Sequence, residues 1–171
     1  MAARIQASSF YDLVSGRRRS LPASVCRSLL LAASWPYRAA VAARNYSYDH
    51  GLAAVHEAGV PVVSVGNLTV GGTGKTPVVA LLARWFQARE VRVAVVSRGY
   101  GAAPGKCNDE ALELARLLPA TPHVQHADRV AAARTAREQF GAELLLVDDG
   151  FQHRRLARNL DLVLVDATEP F

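Results

Sequence analysis

The chain has 171 residues, of which half are apolar and a fifth charged, so it is long enough for one globular domain with its own core. Its net charge of +5 is concentrated in residues 1–59, where seven arginines face three acidic residues. An excess this local argues against a general nucleic-acid surface and indicates one basic contact region. The two cysteines lack metal or redox spacing, which is typical of thiols in a reducing compartment.

The apolar stretch from Leu21 to Tyr48 predicts an amphipathic helix, and Pro36 is expected to kink it. Its longest uncharged run, Ser28 to Tyr37, is far shorter than the ~20 residues of a membrane-spanning helix. A signal peptide fits poorly, because the basic segment lies too far along the chain. Trp35 and the flanking arginines suggest a helix at a membrane interface. A helix that packs on its own domain explains the pattern as well.

The segment from Val60 to Pro77, VPVVSVGNLTVGGTGKTP, has the layout of a phosphate-binding loop. A β-branched strand, a glycine-rich turn and a helix start follow one another. The glycines let successive N–H groups approach an anion at the positive end of the helix dipole. Lys75 is predicted to reach the β- and γ-phosphates, and the Thr76 hydroxyl to bind Mg²⁺. The strict pattern has glycine where this chain has Thr69, and a glycine-rich surface turn is the alternative.

Strands and helices alternate after this loop. Helices are predicted over 77–89, 109–118 and 127–140, and strands over 60–65, 91–96, 122–125, 143–147 and 160–165. The apolar residues of the first of these helices are expected in the core: Val78, Leu81, Leu82, Trp85 and Phe86.

This alternation predicts an α/β, P-loop NTPase-like three-layer fold with a mostly parallel sheet, preceded by the N-terminal amphipathic helix. The expected division is a membrane-associating segment over 1–59 and a nucleotide-binding domain over 60–171. Ligands of such sheets bind beyond the carboxyl ends of the strands.

Two acidic sites are candidates for chemistry. Asp148 and Asp149 follow an apolar strand, where a P-loop enzyme places the acid that holds Mg²⁺, although adjacent carboxylates also occur in solvated turns. Asp109 follows the second strand and could take a proton from an acceptor hydroxyl. An acid in a first helical turn is also favoured by the dipole alone.

Five segments, in order, resemble the tetraacyldisaccharide 4′-kinase family of lipid A biosynthesis. They read SVGNLTVGGTGKTP, SRGYG, NDE, HADRVAAAR and VDDGFQHRRLARNLDLVLVDA, and the resemblance extends over roughly 29–171. It implies a membrane-associated kinase that transfers the γ-phosphate of ATP, with Mg²⁺, to the 4′-hydroxyl of a lipid disaccharide 1-phosphate. It further implies that the N-terminal helix docks on the cytoplasmic face of the bacterial inner membrane. The charge distribution separately predicts no nucleic-acid partner.

The resemblance also implies roles for individual residues. Asp109 corresponds to the acid near the acceptor hydroxyl, although the chain reads NDEA where the family more often has GDEP. Arg98 and Arg129 are expected to meet phosphates of nucleotide or lipid. Asp148 and Asp149, with Thr76, are the expected Mg²⁺ ligands, and Lys75 is the catalytic lysine. The expected ATP-contacting residues are Thr69, Val70, Gly71, Gly72, Thr73, Gly74, Lys75, Thr76, Gln152 and His153.

Family members run to about twice this length, so the chain is expected to be a fragment or a truncated product. A second lobe, with the histidine that pairs with the catalytic aspartate, would then lie outside it. Two other functions stay open from the residues: a P-loop NTPase that acts as a switch or chaperone, and a membrane-binding remnant without catalysis. No NKxD motif, which would favour a GTPase, is present in the sequence.

Overall fold

The protein is described here by a computed structural model, which describes residues 20–67, 74–99 and 109–166, apart from the side chains of Leu21, Asp109 and Glu110. The chain divides into two compact units, Met1–Leu52 and Ala53–Phe171. The expected loop residues Thr69, Val70, Gly71, Gly72 and Thr73 lie outside the described residues.

In the first unit, the residues that the structure describes form a long helix, α1 (Leu21–Asp49). Its start is favoured by Pro22, since a proline in the first turn gives up an N–H that has no helical partner. The helix continues through Pro36 and ends at Asp49, and the N–H of the C-cap residue His50 donates to the Tyr46 carbonyl at 3.0 Å. The helix predicted for this stretch is therefore confirmed. Among the described residues, no helix is long and apolar enough to cross a membrane.

The second unit is built on a five-stranded parallel sheet with the strand order β3-β2-β4-β1-β5. The strands are β1 (Val62–Asn67), β2 (Val93–Ser97), β3 (His123–Gln125), β4 (Leu144–Asp148) and β5 (Leu160–Leu164). The helices that alternate with them are α2 (Lys75–Gln87), α3 (Asp109–Leu117) and α4 (Arg129–Phe140).

The core lies on both faces of this sheet. Strands β1, β2 and β4 are buried runs rich in Val and Leu, as expected where both faces of a parallel sheet are covered. Buried alanines of α4 cover one face, where they pack against Val62, Val96 and Leu145. Helices α2 and α3 cover the other face. The predicted α/β fold with a parallel sheet is confirmed.

The predicted core positions of α2 are partly wrong. Leu81 is 66% exposed and Trp85 is 49% exposed. The buried stripe of the helix is formed by Val79, Ala80 and Ala83, because these small side chains let the helix pack closely on the sheet. The other three predicted positions, Val78, Leu82 and Phe86, are partly buried against the same core.

Candidate active site

Polar residues of the second unit lie at the carboxyl ends of the strands. Asn67 ends β1, Ser97 ends β2 and Asp148 ends β4. Because all strands run parallel, these ends meet at one edge of the sheet. Strand β4 pairs with both β1 and β2, so Asp148 lies between the ends of its two neighbours.

Lys75 is held at this edge by two oxygen atoms. Its Nζ donates to Asn67 Oδ1 at 2.9 Å and lies 3.6 Å from Asp149 Oδ1. The preceding Gly74 has a φ of 76°, in the left-handed region that favours glycine, and α2 starts directly after it. The lysine therefore stands at a helix N-terminus, where the dipole and unpaired N–H groups favour an anion.

The two carboxylates differ in their surroundings. Asp148 is buried at the end of β4, whereas the Asp149 side chain is exposed. The Asp149 N–H donates to the Val65 carbonyl at 2.9 Å, and its φ of 53° turns the chain away from the strand. This backbone hydrogen bond attaches the loop to β1, with the Asp149 carboxylate beside Lys75.

The donor atoms at this edge suit Mg²⁺ bound together with phosphates. They are the carboxylates of Asp148 and Asp149 and the hydroxyl of Thr76, the second residue of α2. Within the part of the chain that the structure describes, no group of three or more His, Cys, Asp or Glu residues could hold a metal ion by itself. Mg²⁺ in nucleotide sites normally takes only one or two carboxylates, with phosphates and water completing the shell. The residues present therefore fit the metal.

Arg129 adds a buried cation near the carboxylates. It is the first residue of α4 and only 3% exposed, and its Nη1 donates to the His126 carbonyl at 3.1 Å. Burial lowers the pKa of Arg129, and the charge of Arg98 lowers it further, while Asp149 and Asp148 raise it. Its Nε is buried without a hydrogen-bond partner among the described residues. A desolvated guanidinium with a spare donor is suited to binding an anion.

Arg129 is positioned by the N-cap of α4. The Asp128 side chain accepts from the Val130 N–H at 2.9 Å, and this hydrogen bond is the main reason that the pKa of Asp128 lies below its ordinary value. We expect Asp128→Ala to lower the free energy of unfolding by about 1 kcal/mol at neutral pH. Urea unfolding of both chains measures this difference.

The pH dependence of that loss follows from the lowered pKa. The carboxylate stabilises the fold fully above the ordinary aspartate pKa of about 4, and this advantage is lost as the pH falls through the lower folded value. The gap between wild type and Asp128→Ala should therefore narrow below about pH 4. Asp128→Asn keeps the cap without the charge and serves as control. A gap that stays constant down to acid pH would contradict the N-cap explanation.

For the remaining predicted site residues, the structure gives the position in the fold. His153 and Gln152 follow in the turn after β4, where the His153 N–H donates to the Gly150 carbonyl at 2.9 Å. Asp109 is the first residue of α3, but its side chain lies outside what the structure describes. The structure thus brings Lys75 and Asp149 together and leaves the position of the Asp109 carboxylate untested.

Sequence reasoning missed two residues of the site. Asn67 binds the lysine amine, and an amide at the end of an apolar strand just before the glycine loop was a usable signal. Arg158 donates through Nη1 to the Gly150 and Phe151 carbonyls, at 2.9 Å each. Nothing in the local pattern distinguishes it from the neighbouring arginines, so only the folded chain identifies it.

Comparisons with known proteins agree with this geometry. Residues 26–171 match the family described as Tetraacyldisaccharide-1-P 4'-kinase, LpxK. The tetraacyldisaccharide 4'-kinase of Anaeromyxobacter dehalogenans (strain 2CP-C) is 47% identical, over 83% of this chain and 42% of that protein. The one from Geobacter metallireducens is 42% identical, over 84% of this chain and 47% of that protein.

A solved structure is also similar to this chain. It is LpxK from Aquifex aeolicus in complex with ATP, with a TM-score of 0.73 and 36% identity, covering 84% of this chain and 50% of that chain. The present chain spans about half the length of the curated relatives it matches. Over the region that it does span, the chain belongs to the tetraacyldisaccharide-1-P 4'-kinase family.

Proposed function

We propose that this chain is the nucleotide-binding half of a kinase that transfers the γ-phosphate of ATP to the 4′-hydroxyl of a tetraacyldisaccharide 1-phosphate. The observation that carries the proposal is the contact of Lys75 with Asn67 and Asp149 at the carboxyl edge of the sheet. This contact joins the predicted phosphate loop to the acidic loop after β4. The family membership and the ATP complex of the Aquifex relative support the same assignment.

We assign each site residue a proposed role in phosphoryl transfer. Lys75 and the N-terminus of α2 bind the phosphates, and Arg98 and Arg129 offer further cations for nucleotide or lipid phosphate. Thr76, Asp148 and Asp149 would hold Mg²⁺, which neutralises charge on the β- and γ-phosphates. Gln152 and His153 are proposed to complete the nucleotide contacts.

Asp109 is the proposed base for the acceptor. Its carboxylate would accept the proton of the 4′-hydroxyl while that oxygen forms a bond to the γ-phosphorus. The bond between the γ-phosphorus and the β,γ-bridging oxygen breaks, and ADP leaves with that oxygen. Since positioning and charge stabilisation supply most of the catalysis in such reactions, the main contribution of Asp109 would be to orient the 4′-oxygen in line with the γ-phosphorus and the leaving oxygen.

The test is transfer of labelled γ-phosphate from ATP to detergent-solubilised tetraacyldisaccharide 1-phosphate by the 171-residue chain. Asp109→Asn is the companion variant, since it should keep ATP binding and lose transfer. If the wild type labels the lipid and Asp109→Asn does not, the 171-residue chain is an active kinase. MgATP binding without labelled lipid would limit the chain to a nucleotide-binding half. Release of labelled phosphate irrespective of the lipid would contradict the proposal and favour a nucleotide-dependent switch.

We further propose that α1 lies at a membrane surface, on the cytoplasmic face of the inner membrane. Leu31 and Trp35 are one turn apart on this helix and are 66% and 73% exposed. Arg27 and Arg38 flank them. Exposed apolar side chains beside cations are typical of a helix that binds anionic lipid.

Replacing both Leu31 and Trp35 with glutamine should weaken binding to anionic vesicles roughly tenfold or more, because two large apolar side chains no longer enter the interface. Co-sedimentation with vesicles measures the change. Leu81 and Trp85 on α2 have the same spacing and are also exposed, so their double glutamine variant is a matched control. Equal losses in the two variants would contradict a specific role for α1.

A further inference from the structure

We infer that Arg158 is a positioning residue for the proposed kinase, because it fixes the loop that carries Asp149. The inference rests on the proposed function and concerns the same site. Arg158 lies just before β5 and the loop follows β4, so the contact joins the two ends of the connection between these strands.

The Arg158 side chain is bound at both ends of its guanidinium. Nη1 donates to the Gly150 and Phe151 carbonyls, each at 2.9 Å. Nε lies 3.2 Å from Asp161 Oδ1 on β5, and the side chain is only 15% exposed. A planar guanidinium can make both sets of contacts at once, which a lysine amine cannot. Asp161 therefore orients the Arg158 guanidinium, which binds the loop carbonyls.

The loop after β4 needs these hydrogen bonds because its backbone conformation is unfavourable without them. Asp149 has a φ of 53°, a left-handed conformation that is unfavourable for a non-glycine residue. The two carbonyls that Arg158 binds belong to the next two residues. The Asp149 N–H bond to Val65 and the His153 N–H bond to Gly150 hold the rest of the turn.

Asp149 links the Arg158 contacts to the candidate active site. Its carboxylate lies 3.6 Å from the Lys75 amine, and Asp148 is its immediate neighbour. If the carbonyls of Gly150 and Phe151 are released, the turn can relax and the Asp149 carboxylate loses its fixed position beside the lysine and beside Asp148, which the strand holds. Arg158 should therefore matter for binding of nucleotide with Mg²⁺ and much less for binding of nucleotide alone.

The experiment measures ATP affinity of the whole 171-residue chain by calorimetry, once with Mg²⁺ and once with EDTA. The wild type should bind more tightly with Mg²⁺. We expect Arg158→Ala to lose at least tenfold in affinity with Mg²⁺ and less than twofold in EDTA. Arg158→Lys should lie between the two, and Asp161→Asn should lose about threefold with Mg²⁺. Arg134→Ala, which removes an exposed arginine of α4, is the control for charge.

The outcomes separate the inference from the function on which it rests. A wild type that binds no ATP would overturn the proposed function and the inference together. A wild type with Mg²⁺-dependent binding that Arg158→Ala retains would overturn the inference alone. Equal losses with and without Mg²⁺ would also overturn it, because they indicate general damage to the fold. If Arg158→Ala fails to fold, the lysine and Asp161→Asn variants decide the same question.

Discussion

Replacing Lys75 with alanine is expected to weaken MgATP binding by about 10- to 100-fold, in line with the 1.5–3 kcal/mol of a hydrogen bond to a charged group. The amine lies at the N-terminus of α2 and is held by Asn67 and Asp149. These two contacts orient the lysine at the edge of the sheet. Its loss removes the main cation for the phosphates and leaves Asp149 without its ion-pair partner.

Titration calorimetry with MgATP measures the effect, and Arg134→Ala again controls for the loss of one positive charge. Lys75→Arg tests geometry, since it keeps the charge but carries a larger, planar group. We expect the arginine variant to bind better than alanine and worse than wild type. If Lys75→Ala binds MgATP as tightly as the wild type, the assignment of the phosphate loop is wrong.

The sequence was most informative where hydrophobic pattern and turn chemistry coincide. The strand that ends at Asp148 and the helix that starts at Lys75 both follow from local signals, an apolar run before two acids and a glycine turn before a lysine. Element boundaries differ by one or two residues. Predicted residues 60–65 became Val62–Asn67, for example, because Val60 and Pro61 precede the ladder that begins at Val62.

The sequence was least informative about side-chain contacts that depend on the folded path of the chain. The periodicity of α2 marked Leu81 and Trp85 as core, since a wide apolar stripe does not show which of its sides meets the sheet. Arg158 is one arginine among several after β4, and its role depends on carbonyls eight and seven residues away. Hydrogen bonds within an irregular connection follow no helix or strand periodicity, so the fold has to be known before they can be found.

Gly150→Ala is expected to lower the free energy of unfolding by about 2–3 kcal/mol, the upper part of the range for overpacking a core. A Cβ at this position would lie 2.6 Å from Val147 Cγ1 and 2.8 Å from Ser64 Oγ. Both neighbours are buried, so neither can move away cheaply. The matched control is Gly141, the C-cap of α4, where φ is 61° and the nearest atom to a Cβ is 3.6 Å away. Gly141→Ala should therefore lose only about 1 kcal/mol, from backbone strain.

A double-mutant cycle in urea unfolding distinguishes packing from other causes. Val147→Ala removes the closest atom, so the combined Val147→Ala and Gly150→Ala chain should be more stable than the sum of the single losses predicts. Additive losses would contradict steric crowding as the cause. Because Gly150 directly follows Asp149 and its carbonyl is bound by Arg158, the crowded variant should also lose Mg²⁺-dependent ATP binding. Because Gly150 packs closely on β1 and β4, a side chain at this position should both destabilise the sheet and displace the neighbouring Asp149 carboxylate.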